Sequence, residues 1–359
     1  SEEIKELAEI FVAHFKRLIT QLMNIDEDLK LLLDERPLLE RKQLIENLCS
    51  ILGETIERAD SNRSLWGSYA KADSEDKPPN ARWLILAEYE DNFDISLYSS
   101  PILAADNLRE CLWDTCAGAV LTSATLSALG NFEMLKLKAG LPSHASYLRI
   151  ASPFDFQRSA IFSVPKLGCE PSDTENHTKL IAQAIPKLLT LTGGALMLFS
   201  SRRQMQDVMQ RLPPQWNDLV LCQDDYTKIE LLKYHRLRID GGKGSIIFGL
   251  ASFAEGVDLP GKYCENVLIA KIPFSLPNDP VELTLAYWVE RQGHNPFMTL
   301  SVPEAALKLV QASGRLLRNE SDTGRITLFD ERIVKRRYGK TMLNSLPPYR
   351  REVFSEDLS

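Results

Sequence analysis

SIIFGLASFAEGVDLPGKYCENVLIA, residues 245–270, is the stretch whose reading decides the fold. Ser245 to Phe248 is a short apolar run that reads as a buried strand, and Asn266 to Ala270 is a second. Between them lies a tight polar loop carrying Glu255, Gly256 and Asp258. Short apolar strands that alternate with helical segments are the signature of βαβ units on a parallel sheet. Working outward, the same pattern marks strands at Ala119–Leu121, Ala160–Val164, Ala195–Phe199, Leu219–Leu221 and Arg325–Phe329. Helical spacing fills the intervals at Thr178–Leu191, Arg203–Leu212, Lys228–Leu237, Pro280–Arg291 and Pro303–Arg318. The expected class is therefore α/β, with a parallel sheet from about Leu112 onward.

Upstream the character changes. Ile4, Leu7, Ala8, Phe11, Phe15, Leu18, Ile19 and Leu22 form one amphipathic stripe, and Leu44, Ile45, Leu48, Ile51, Leu52 and Ile56 form another. This helical region is acidic, with fourteen acids against eight bases in residues 1–60. Lys71–Pro79 breaks it, and RWLILAEYE and FDISLYSS, joined by a turn at Asp91-Asn92, read as a hairpin.

With 359 residues, the chain is long enough for about two to three domains. Its 44% hydrophobic and 25% charged residues exclude wholesale disorder and collagen-like or mucin-like classes. No apolar run approaches the ~20 residues that span a bilayer, and the start lacks the order of a signal peptide, so a cytoplasmic location with no membrane partner is expected. Six scattered cysteines and five scattered histidines form no metal-ligand spacing, so no metal site is expected in this chain. The net charge of −7 argues mildly against a simple cationic nucleic-acid binder, but says little about a local groove. Arg332 to Arg351 holds seven basic residues and no acid.

Ligands of open parallel sheets sit beyond the carboxyl ends of the strands, so polar residues just after strands are the ones to inspect. AGAVLTSATL runs into Thr122, Ser123 and Thr125, whose hydroxyls can bond a phosphate or simply cap a strand end. In the loop quoted above, Gly256 permits close approach, and the two carboxylates can bind ribose hydroxyls or basic partners, or belong to an ordinary turn. In QASGRLLR, Gln311, Arg315 and Arg318 at i, i+4, i+7 would share one helical face. A guanidinium fork suits a transferring phosphoryl group, while two solvated arginines are the plain alternative.

These features, with LFSSRRQM (198–205), IAKIPFSLPNDP (269–280) and the order in which they occur, resemble motifs III to VI of the XPD/DinG-type DNA helicases of superfamily two, the bacterial DinG proteins most of all. The resemblance runs from about residue 80 to 350 and implies a RecA-like second motor domain over 136–359. It also implies the last piece of the first motor domain over 79–135 and an arch-like helical region over 1–78. It implies ATP-driven 5′-to-3′ movement on single-stranded DNA and forked duplexes, in DNA repair or replication and alongside its proteins, at the bacterial nucleoid. Gln311, Arg315 and Arg318 would meet the γ-phosphate, the arginines as fingers. Glu255, Gly256, Asp258 and Gly314, with Thr122, Ser123 and Thr125, would bind ATP or couple its hydrolysis to movement. Ser200, Ser201, Arg202, Ser252 and Phe253 would lie on the DNA.

Departures from the family pattern matter equally. The sequence contains no G-x-x-x-x-G-K-[ST], since Gly339-Lys340-Thr341 is preceded by Val334 where the first glycine is needed. No Asp-Glu-Ala-His box follows a strand; Phe329-Asp330-Glu331 mimics one, but lies where this family carries an Asp-x-Arg element, here Asp330 and Arg332. ATP and Mg²⁺ would be used only with an absent N-terminal half. The cysteines that hold a 4Fe–4S cluster in many relatives would lie upstream, with none in this chain. The expectation is the C-terminal part of a longer helicase, inactive alone. The alternative is a non-catalytic RecA-like module that binds nucleic acid or a partner through the basic Arg332–Arg351 segment. A metabolic α/β enzyme is disfavoured by the lack of G-x-S-x-G and G-x-G-x-x-G.

Overall fold

The computed structural model describes residues 2–35, 38–74, 77–89, 92–250, 253, 256–275 and 278–357. The chain forms two compact units, one from residues 1–104 with 277–293 and the other from 105–276 with 294–359.

The first unit is built on two long helices, Glu2–Asp34 and Leu39–Ala70, followed by strands β1 (Asn80–Tyr89) and β2 (Asn92–Pro101). Phe11 stacks on Trp66 with ring centroids 4.6 Å apart. Much of the first stripe stays outside, with Ile4, Leu7 and Leu18 all more than 40% exposed, while Ala8 is fully buried. The hairpin is antiparallel, as expected, and Asp91 of its expected turn lies outside the described residues. It is fastened to the helix before it. The Tyr69 hydroxyl bridges toward the carbonyls of Trp83 (3.0 Å) and Tyr98 (2.9 Å), and Arg82 makes a two-pronged pair with Asp73. Helix Pro280–Arg291, capped by the Asp279 carboxylate, also packs on β1. The hairpin groups with the helices because the Tyr69 hydroxyl of the second helix lies on its Trp83 and Tyr98 carbonyls.

The second unit is a seven-stranded, wholly parallel sheet. Its strands are β3 (Ala160–Lys166), β4 (Gly194–Phe199), β5 (Val220–Cys222), β6 (Ser245–Leu250), β7 (Asn266–Ile269), β8 (Gly324–Leu328) and β9 (Arg350–Asp357). They lie in the order β5-β6-β4-β7-β8-β3-β9. Helices cover both faces, so the central strands are apolar throughout. Alternation divides their side chains: Leu196, Leu198, Ile247, Val267 and Ile326 face the core that includes helix Val302–Ser313. Met197, Phe199, Ile246, Phe248 and Leu268 face the helices Thr174–Leu188 and Arg202–Arg211.

Two expectations need correction, and a third element goes unforeseen. Ala119–Leu121 is not a strand, and Val120 is 92% exposed. It meets no neighbouring strand here, and a strand without a ladder partner gains nothing over a solvated backbone. The expected helix Pro303–Arg318 spans Val302–Ser313 instead, because Gly314 caps it, its N–H bonded to the Val310 carbonyl. The third is β9, which falls partly inside the basic tail. It is an edge strand parallel to β3, with Arg350 and Arg325 both paired to Glu352.

Buried polar groups tie the layers together. His177 bonds the Phe329 carbonyl (2.7 Å) and Gln204 (3.1 Å), and His235 bonds Ser245 (2.9 Å) and the Tyr263 carbonyl (2.7 Å). Burial holds the pKa of both imidazoles below the ordinary histidine value, so both are neutral at pH 7. All six cysteines are free thiols, and burial pushes that of Cys264 up to about 12.

Candidate nucleotide and nucleic-acid edge

Arg315 and Arg318 lie in the turn after helix Val302–Ser313, not on its face, so the i, i+4, i+7 argument is replaced by a different geometry. Their guanidinium groups converge on one acceptor, the Val257 carbonyl, at 3.2 Å from Arg315 and 2.5 Å from Arg318. Arg318 also pairs with the Asp258 carboxylate at 3.2 Å. The turn is held by Asp322, only 4% exposed, whose carboxylate receives the N–H groups of Arg318 (2.7 Å), Asn319 (2.9 Å) and Gly261 (3.1 Å). One buried carboxylate thereby ties the arginine turn to the loop after β6.

Gln311, still on the helix, donates to the Thr125 hydroxyl at 3.3 Å, and Thr125 in turn lies 3.3 Å from Ser123. Thr122 is exposed beside them. Gly256 takes a positive φ of 70°, which the loop turn requires of a residue without a side chain. Gly314 caps helix Val302–Ser313, its N–H bonded to the Val310 carbonyl. Glu255 and Ser252 lie outside the described residues. Phe253 packs on the Gly249 backbone, where a Cβ would come within 2.7 Å of its ring, and the Lys228 ammonium sits 5.3 Å above that ring. At the end of β4, Ser200 is exposed, Ser201 spends its hydroxyl capping helix Arg202–Arg211, and Arg202 pairs with Asp224 at 3.2 Å.

Two acids after β8 are structural. Asp330 accepts Arg332 through two nitrogens (2.9 and 2.8 Å) and the Ile272 N–H (3.0 Å); Glu331 accepts the N–H groups of Leu167 (2.7 Å) and Gly168 (2.8 Å) and pairs with Lys335. Burial alone would raise the pKa of Glu331, but Lys335 and the two backbone donors outweigh it and hold the carboxyl below the usual range. The basic tail loses its single-sign character for the same reason. Arg332, Lys335, Arg336 and Arg350 have acidic partners, and Arg351 bonds Asn344 and the Leu343 carbonyl. Gly339, part of the Gly-Lys-Thr triplet, is fixed by packing: a Cβ there would lie 2.1 Å from the Arg332 carbonyl.

Sequence reasoning missed the Val257 carbonyl, which no side chain announces, and Asp322, whose signal was an acid in a turn four residues past Arg318. Among the described residues no group of three His, Cys, Asp or Glu side chains could hold a metal ion.

Residues 185–349 match the family model for the helicase C-terminal domain. The ATP-dependent DNA helicase DinG of Photobacterium profundum is 39% identical over 320 residues, which cover 87% of this chain and 46% of that protein. Over residues 185–349 the chain is similar to helicase C-terminal domains, and over most of its length to part of the DinG helicases. The Escherichia coli K12 protein of the same name is 31% identical over 296 residues, covering 81% of this chain and 41% of its own. A solved structure titled XPD_Helicase shares the fold with a TM-score of 0.54 at 17% identity, covering 98% of this chain and 64% of that one. The chain therefore spans less than half the length of these curated relatives. No helix among its described residues is long and apolar enough to cross a membrane.

Proposed function

We propose that this chain supplies the second motor domain of an ATP-dependent 5′-to-3′ DNA helicase, and that Arg315 and Arg318 are its arginine fingers. The observation that carries this reading is the convergence of two guanidinium groups on a single carbonyl in a turn held by a buried carboxylate. A donor pair pre-aimed at one oxygen fits a phosphoryl oxygen equally well, and it is set by backbone contacts rather than by a flexible helix surface. Bound ATP supplies the phosphoryl group whose transfer drives movement. The chain's own residues then orient and neutralise: Arg315 and Arg318 exchange the Val257 carbonyl for phosphate oxygens and Gln311 reports their position to Thr125. Asp258, released by Arg318, passes the change to the loop after β6. Ser200, Ser201 and Arg202 at the end of β4 form the DNA-tracking surface, where phosphate contacts give a grip independent of sequence.

The 359-residue sequence has no phosphate-cradling G-x-x-x-x-G-K-[ST] loop, so on this reading it does not turn over ATP by itself. Two measurements test the proposal. The purified chain should show no ATP turnover above background; turnover abolished by Arg315→Ala would refute the division of labour. In a longer protein that contains this chain, Arg315→Ala should remove at least ~10³-fold of ATPase rate, as loss of a finger does. DNA affinity should hold within about twofold. Loss of DNA binding with ATPase intact would sink the finger assignment.

A further inference from the structure

Lys271, the residue immediately after β7's last ladder bond, has an environment that the roles above leave unexplained. Ala270 donates to the Leu198 carbonyl (2.9 Å) and Phe329 donates to the Ile269 carbonyl (2.9 Å), which fixes the end of β7 between the ends of β4 and β8. Lys271 is partly buried there, yet its ammonium makes no hydrogen bond and no ion pair with any described residue. Its anionic neighbour, Asp330, is already filled by donors from Ile272 and Arg332. The other charged neighbour is Arg332 itself, held over the Phe274 ring at 5.8 Å, and the nearby His177 is neutral. Burial, reinforced by Arg332, lowers the pKa of the lysine, with Asp330 opposing. A partly desolvated cation without a counter-ion is costly unless an anion arrives.

The geometry points to Lys271 as a binding site for a backbone phosphate of single-stranded DNA. This rests on the proposed DNA-tracking role of residues 200–202. Strand tips in a sheet are ~4.8 Å apart, so a polyanion on residues 200–202 at the end of β4 meets the end of β7 next. A triphosphate held by the two arginines at Val257 belongs to the loop after β6, two strand positions away. The bidentate Asp330–Arg332 pair is a positioning device: it consumes the one carboxylate that would otherwise neutralise Lys271.

The test uses the full 359-residue chain and a fluorescent oligothymidylate, with anisotropy measured between 50 and 200 mM salt. Lys271→Met, which keeps the volume, is expected to weaken binding about three- to tenfold at 50 mM salt. It should also flatten the log–log salt slope by about 0.7, the value for one phosphate contact on a single strand. Lys271→Arg should retain the wild-type slope. An unchanged slope in Lys271→Met, with wild-type binding intact, overturns the assignment of Lys271 alone. Failure of the wild-type chain to bind the oligonucleotide overturns the DNA-tracking reading and this site together. Loss of inorganic triphosphate binding in Lys271→Met with the DNA slope preserved moves the lysine to the nucleotide and refutes the proposal. If Lys271→Met melts early, Lys271→Gln carries the same comparison.

Discussion

Removing the Asp322 carboxylate should do more damage than removing either arginine that it positions. Asp322→Ala strands three backbone N–H groups, those of Arg318, Asn319 and Gly261, at once. Asn319 is exposed and can turn to water, whereas Arg318 and Gly261 are partly buried. Hydrogen bonds to a charged acceptor are worth ~1.5–3 kcal/mol each, and an unmade one costs its donor's desolvation. Counting two of the three at full weight gives a loss of about 3–6 kcal/mol for the sheet unit. With a urea dependence of about 3 kcal/mol per molar, the midpoint should fall by about 1–2 M. The fluorescence of Trp216, only 5% exposed and within that unit, is the reporter. Asp322→Asn keeps one acceptor oxygen and should fall between. The same variants should speed hydrogen exchange at the 318 and 319 amides well before global unfolding. A midpoint for Asp322→Ala within about 0.2 M of wild type would refute the clamp and, with it, the view that the arginine turn is pre-aimed.

Two further outcomes follow from the packing and the buried histidines. Gly339→Ala should destabilise the chain by about 1–3 kcal/mol in urea unfolding, since the new methyl meets the Arg332 carbonyl, whereas exposed Lys340→Ala should stay within about 0.5 kcal/mol. Equal effects at both positions would speak for a shared ligand role instead. Stability should be flat above pH 7 and fall as the pH drops below ~6.5, because the unfolded chain protonates His177 and His235 before the folded one does. The slope should reach up to ~1.4 kcal/mol per pH unit for each histidine and be about halved in His235→Gln; a wild-type slope of zero over that window would contradict two buried neutral imidazoles.

Periodicity revealed the sheet because its central strands are apolar on both faces, so Ala195–Phe199, Ser245–Phe248 and Asn266–Ala270 stand out in any window. The same signal misled at Ala119–Leu121, where composition suits a strand but a partner is lacking, and failed at Arg350–Asp357, where charge masks an edge strand. At the site, residue types were legible and their geometry was not. The arginines could be picked from QASGRLLR, but Gly314 ends the helix before them, and the acceptor they share is a backbone atom. Ser201 and Phe253 came from the family resemblance, and nothing in their residue types announced that one also caps a helix and the other packs against Gly249. Carboxylates such as Asp322 and Glu331 were harder still, because a lone acid in a turn gives no hint of which distant amides it will satisfy.

The helix Pro280–Arg291 has a practical corollary for anyone dividing this molecule. The chain leaves the first unit after residue 104, returns at 277 and departs again after 293, so three covalent connections join the units. A cut at 104 does not release an independent sheet unit. It frees a twelve-residue helix that packs on β1 and holds the buried Leu285 and Val289, 7% and 3% exposed, and it deprives β1 of that cover. Both pieces would carry a freshly bared apolar face, a recipe for aggregation. Dissection succeeds only if the 277–293 excursion is replaced by a short turn on one side and supplied in trans on the other.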